Sequence, residues 1–259
     1  MQTNKYPRVF KKPLLMLLAL LFMFTFSCNK DAEFEEMPEN DMETLYSWLE
    51  DAGFARDKIK AEGDNFVIDG HILISQEEVR KFASNPYPSS AHGRLEHYRS
   101  SMIVSDAYVT NIRIFIESSV PSSWNTAVRE AVNQWNAISG TKLSMSVVSS
   151  RSQAHIRVNT GYSSQNWVAQ AYLPYYNGRP GHLVTINTRY NSLNSGYKLF
   201  TMVHEIGHTI GLYHTDQNQG VFIEGTPVTD PNSVMNSYVL QWRGFTTGDM
   251  NAIRIMYPN

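Results

Sequence analysis

His204-Glu205-Ile206-Gly207-His208-Thr209-Ile210-Gly211-Leu212-Tyr213-His214 constrains this chain more than any other stretch. If the run opens on a helix, His204 and His208 stand one turn apart on the same face, where both imidazoles reach one cation. Glu205 projects beside them, placed to take a proton from a water on that cation without being a ligand. Gly211 stops the helix, because glycine readily takes the left-handed conformation that reverses the chain. The reversal brings His214 back as a third ligand. Three histidines leave the fourth position of a tetrahedral site open, as in catalytic rather than structural zinc sites. Leu199, Met202, Val203, Ile206 and Ile210 form the apolar stripe that seats the helix on a core.

The chain of 259 residues, 42% apolar and 18% charged, is long enough for such a core. Its formal net charge of −2 gives no basic footprint for nucleic acid. Cys28 is the only cysteine, which excludes an internal disulfide and a thiolate zinc cluster. In the second half, Asn111 to Ile116 alternates as a strand. Pro121 with Ser122 or Ser123 opens a helix through Trp124, Val128, Ala131, Val132 and Trp135. Leu143 to Val148, His155 to Val158, Ala169 to Leu173 and His182 to Asn187 are strand-like. A helix is expected from about Ser195 to Ile210, and Thr246 or Thr247 caps another to about Met256. Five strands and three main helices in mixed order indicate an α+β domain over residues 109–259.

Upstream, residues 44–84 form a small module. Thr44 to Asp51 suits a short helix. Asp69-Gly70 joins Phe66–Ile68 to His71–Ile74 as a hairpin, and Ser75-Gln76-Glu77-Glu78 is a capping box for a helix to about Ala83. A linker follows over residues 85–108, broken by Asn85-Pro86-Tyr87-Pro88. Residues 1–27 combine basic Lys5, Arg8, Lys11 and Lys12 with the apolar run Leu14 to Phe26, too short to span a bilayer and suited to an export signal. Cys28, just after Thr25-Phe26-Ser27, resembles the lipidation site of a bacterial lipoprotein signal. The resemblance implies an acylated Cys28, membrane attachment, and an outer-membrane or cell-surface location, with residues 28–43 as an acidic tether. The alternative is an ordinary secretory signal and a periplasmic or secreted protein.

The run from His204 to His214 resembles the metzincin zinc peptidases at every fixed position. Ser233-Val234-Met235-Asn236-Ser237-Tyr238 is similar to their Met-turn, which implies that Met235 is an apolar floor beneath the ligands. Ile223-Glu224-Gly225-Thr226-Pro227 and Asp230-Pro231-Asn232-Ser233 resemble, more narrowly, the bacterial dual-action HEIGH metallopeptidases. Phe245-Thr246-Thr247-Gly248-Asp249 to Tyr257-Pro258 is similar to the closing helix of matrixins and astacins. The resemblance implies a twisted, mixed five-stranded sheet, one catalytic zinc on His204, His208 and His214, and a protein or peptide substrate. That substrate would lie antiparallel to an edge strand formed by Ala169, Gln170, Ala171, Tyr172 and Leu173. Several metzincins carry a tyrosine two residues after the Met-turn methionine. Here that place is Ser237, so Tyr238 stands outside the catalytic set.

The expected reaction is endopeptidase hydrolysis by a zinc-activated water with Glu205 as general base. The alternatives are a surface binding protein or adhesin on the same zinc fold, and hydrolysis of a non-peptide bond. Metzincin prosegments commonly block the cleft. Gly63-Asp64 resembles the aspartate device of astacins, against the plainer reading of residues 44–84 as a spacer or binding module. His71, His92, His97, His155 and His182 lack ligand spacing and are expected to be polar surface or strand residues. Asp216, Glu224 and Asp230 share a loop region but lack calcium-loop spacing, so a solvated loop is expected. Trp167, Tyr172, Tyr175 and Tyr176 suit core packing or substrate contact equally.

Overall fold

The computed structural model describes residues 42–84, 98–99, 102–217, 219–227 and 229–259. The expected export signal, Cys28, the expected tether up to residue 41, and His92 and His97 of the expected linker lie outside the described residues. Helix α1 (Met42–Asp51), strands β1 (Ile59–Glu62), β2 (Asn65–Ile68) and β3 (Ile72–Ser75) and helix α2 (Gln76–Ser84) make the N-terminal part. After β4 (Tyr98–Arg99) and α3 (Asp106–Val109) come β5 (Ile112–Ile116), α4 (Ser122–Asn136), β6 (Met145–Val148), β7 (Ile156–Gly161), β8 (Ala169–Tyr172) and β9 (Leu183–Asn187). The chain ends with α5 (Ser195–Thr209), β10 (Val221–Phe222) and α6 (Thr247–Met256). Among the described residues, no helix is long and apolar enough to cross a membrane.

Strands β5 to β9 form the expected mixed five-stranded sheet, in the order β8-β9-β7-β5-β6. Its pairs are parallel except β8 with β9, which is antiparallel. Alternation in β5 buries Ile112, Ile114 and Ile116 on one face. On α4, Trp124, Val128, Ala131 and Trp135 recur at helical spacing and are fully buried. The helix packs on α5, and the Trp135 indole donates to the Val203 carbonyl at 3.2 Å. That bond satisfies an indole N–H that would otherwise be orphaned in the core. The main helices start and stop within a residue of expectation, while β6 and β7 begin one or two residues later than their apolar runs.

The hairpin expected at Asp69-Gly70 is present, with both residues at positive φ as a type I′ turn requires. Pairing of Ile68 with Ile72 leaves His71 as a third loop residue at the tip. The capping box at Ser75 is only half made. Ser75 Oγ accepts from the Glu78 backbone, but the Glu78 carboxylate turns outward to Lys81 and to the backbone N–H of Tyr176. That second bond ties α2 to the loop after β8. The expected five strands become part of a larger sheet, because β3 pairs with β8 and extends it to eight strands, β1-β2-β3-β8-β9-β7-β5-β6.

The apolar residues nonetheless fall into two clusters. One joins α4, α5, α6 and the inner strands. The other gathers Leu45, Leu49, Phe54, Phe66, Ile68, Ile72, Val79 and Phe82 of the N-terminal part, with Met102, Leu173 and Tyr213 added from beyond it.

Candidate metal centre

Helix α5 begins at an Asn194 N-cap whose side chain accepts from the N–H groups of Gly196 and Tyr197. It ends as a Schellman motif. Gly211 has φ +96°, the Gly211 N–H bonds the His208 carbonyl, and the Leu212 N–H bonds the Gly207 carbonyl at 3.0 Å. A side chain at 211 would also strike the Met102 carbonyl oxygen, since an added Cβ lies 2.7 Å from it. The orphaned Ile210 carbonyl accepts from the Tyr257 hydroxyl, which in turn accepts from Val104 N–H at 3.1 Å. The turn therefore has both the conformation and the bracing to return His214 to the helix.

His204, His208 and His214 do converge, and His71 from the hairpin tip joins them. The Nε2 atom of His71 is 3.1 Å from that of His204, 3.3 Å from that of His208 and 3.1 Å from that of His214. His204 and His208 are 3.0 Å apart at the same atoms. The Nδ1 atoms settle the protonation. His204 Nδ1 lies 2.7 Å from the Val234 carbonyl and His208 Nδ1 2.8 Å from the Leu212 carbonyl. His71 Nδ1 lies 3.2 Å from the Asp69 carbonyl and His214 Nδ1 3.1 Å from Asp69 Oδ2. All four partners only accept, so every Nδ1 carries the proton.

Four Nε2 lone pairs then face one another with no hydrogen between them. Burial holds His71 down to about 3 and His204 and His208 well below the ordinary imidazole value, so these three rings do not take second protons. A shared cation makes the arrangement favourable. Nitrogens about 2.0–2.1 Å from a tetrahedral ion sit about 3.3 Å from each other, close to the separations found. The donor set fits a metal ion, and the backbone and carboxylate partners at Nδ1 fix ring orientation as metal-site histidines require.

Inclusion of His71 corrects the expectation that it is an ordinary polar residue. Spacing could not reveal it, since it is 133 residues from His204. Asp69 beside it is likewise a missed participant. Burial works against its ionisation, but the hydrogen bond from His214 and the nearby Lys58 hold its carboxyl below the ordinary value. Asp64 does not reach the site. It is exposed at the β1–β2 turn, at the far end of β2 from the tip, about 3.3 Å per residue away along the strand.

Glu205 is 3% exposed, and its Oε2 is buried with no hydrogen-bond partner. Burial pushes its carboxyl well above the ordinary range. A neighbouring divalent cation works in the opposite sense. An orphaned buried carboxylate oxygen is rare enough to need a reason. The residue lines a cavity of about 290 Å³ together with Trp167, Ala169, Thr201, His204 and Tyr238, among others. Of the aromatics left open between core and substrate, Trp167 therefore faces the cavity. Tyr172 instead bonds Asn65 and packs on His182, and Tyr176 packs on Phe82.

Met235 is fully buried. An added Cβ at Gly207 would lie 2.6 Å from its sulfur and 3.4 Å from the Trp135 ring, so the glycine within the histidine run makes room for the methionine. Gly207→Ala is expected to lower stability by up to about 2 kcal/mol, overpacking of about 1–3 kcal/mol outweighing the helix-propensity gain of about 1. A thermal melt checks this. A melting temperature above wild type overturns the packing role.

The Met-turn is held by Asp249 of α6, which sequence reasoning saw only as part of a closing-helix pattern. Its carboxylate accepts from Ser233 Oγ at 2.6 Å and Val234 N–H at 3.2 Å while closing a capping box with Thr246. Tyr238 is 52% exposed and lines the cavity. Asp216 is engaged by the backbone and hydroxyl of Ser237, and Asp230 by the Thr246 hydroxyl. Among the described residues, the four histidines are the one group arranged to hold a metal ion.

A mixed sheet, a helix bearing two histidines, a reversal to a third and a buried glutamate beside a cleft define a metal-dependent hydrolase. The profile of the dual-action HEIGH metallo-peptidases matches residues 67–221, more than half of the chain, and the chain belongs to that family. Among solved structures it is similar to the crystal structure of myroilysin, at 13% identity and a TM-score of 0.43 over 61% of this chain and 87% of that one. A second structure of myroilysin aligns at 12% identity and a TM-score of 0.42, over 61% of this chain and 83% of that one. Comparison with curated proteins finds no match.

Proposed function

We propose that this metallopeptidase is a zinc-dependent endopeptidase with Glu205 as its general base. The carrying observation is the conjunction of four imidazoles that converge on one point and Glu205, which has an unpartnered buried oxygen and lines the cavity that His204 also lines. An all-nitrogen, four-coordinate donor set without thiolate suits zinc. His204, His208 and His214 would hold the ion, which supplies Lewis acidity towards water and the substrate carbonyl. Glu205 takes the proton of the attacking water and hands it to the leaving amine. Ala169 to Leu173, expected as an open edge, is covered by β3 in this structure, and would offer its backbone groups to an extended peptide only where that pairing opens.

The purified chain is expected to carry one zinc. Its hydrolysis of casein is expected to stop when a chelator is added and return with zinc. A metal-free protein, or hydrolysis indifferent to the chelator, overturns the proposal.

Export with lipid attachment at Cys28 belongs to the same proposal and rests on the basic start, the apolar run and the cysteine that follows. Cys28→Ala is expected to move the protein from the membrane to the soluble fraction of producing bacteria. A wild-type protein already soluble refutes the anchor.

A further inference from the structure

We infer that residues 42–84 hold the enzyme latent, with His71 filling the fourth metal position and β3 occupying the substrate edge of β8. The inference rests on the metallopeptidase reading above. His71 Nε2 lies 3.1 to 3.3 Å from the same atom of His204, His208 and His214, so it stands where a reacting water or carbonyl oxygen would have to bind. Its backbone continues the block. The His71 carbonyl accepts from Ala171 N–H at 3.1 Å, and the Leu73 carbonyl from Leu173 N–H at 2.9 Å. Those are the strand donors a bound peptide would need. The β3–β8 pairing is parallel, opposite to the direction expected of a substrate, so the segment covers the edge without being laid out for cleavage.

The contrary reading is a permanent, closed, four-histidine site of structural type. Three observations argue against it. Glu205 lines the adjoining cavity and keeps an unpartnered buried oxygen, which a structural site has no use for. The fourth ligand sits on a hairpin tip, held in place by two positive-φ residues. The hairpin also belongs to an apolar cluster distinct from the catalytic core, and its β3–β8 ladder is only two residue pairs long, supplemented by the bonds of Tyr172 to Asn65 and of Tyr176 to Glu78. Asp69 adds a further hold, because its carboxylate receives the Nδ1 proton of His214. Displacing the tip thus opens the fourth position and frees a ligand's outer partner together.

The test uses the full chain loaded with cobalt(II), whose absorption reports coordination independently of turnover. Wild type and His71→Ala are titrated with acetohydroxamate, a small bidentate ligand that needs an open position but no strand pairing. Both are expected to hold one metal per chain. The variant should bind acetohydroxamate at least about tenfold more tightly, because wild-type affinity is reduced by the fraction of chains whose fourth position is free. Peptide hydrolysis by the variant should rise in parallel. Equal affinities overturn latency while leaving the metallopeptidase reading intact. Loss of metal from the variant shows His71 to be an obligatory ligand and also overturns it. A wild-type chain that binds no metal overturns both. His71→Gln, which retains side-chain bulk, gives the same comparison if the alanine variant does not fold.

Discussion

Glu205→Gln is expected to retain the full complement of metal and to lose peptide hydrolysis by about 10²–10⁴-fold, the usual worth of a general base. The two halves of this result have separate causes. The group that could hold the metal consists of four histidines, and Glu205 is not among them, so metal content should not change. The carboxyl is buried with one oxygen unpartnered, and an amide of nearly the same shape fills the same space without a base. Metal analysis and turnover on one preparation, comparing the same form of both chains, check the prediction. Residual activity above about 1% of wild type removes Glu205 from the role of base.

His214→Ala should act on metal first. The residue is 1% exposed and brings a nitrogen into the cluster only because of the turn at Gly211. Loss of an outer partner of a metal ligand typically costs about 10–100-fold in affinity, so removal of the ligand itself is expected to cost more than about 100-fold. His71 tempers the effect in the full chain, because three imidazoles remain around the ion. Combining His214→Ala with His71→Ala leaves two, and metal should then be lost on dialysis. Competition with a chelator of known affinity measures both variants. Wild-type affinity in the double variant excludes His214 as a ligand.

The sequence by itself determined the catalytic half. Histidines one helical turn apart, a glycine placed to reverse the chain and a returning histidine are local features, and local geometry follows from spacing. The same holds for α4, whose apolar residues recur at helical intervals, and for the Asp69-Gly70 hairpin, where turn chemistry selects the residues. Tertiary structure alone decided what the hairpin does. Its strands carry the apolar alternation of any hairpin, and nothing in their sequence names β8 as the partner of β3. His71 has no ligand spacing because its partners lie more than a hundred residues away. Asp249 stands in the sequence only as part of a closing-helix pattern, and packing alone brings its carboxylate to Ser233 and Val234 of the Met-turn. The division has one physical reason. Helix periodicity and turn conformation are properties of neighbours along the chain, whereas a fourth ligand and a sheet edge are defined by which distant segments the folded core brings together.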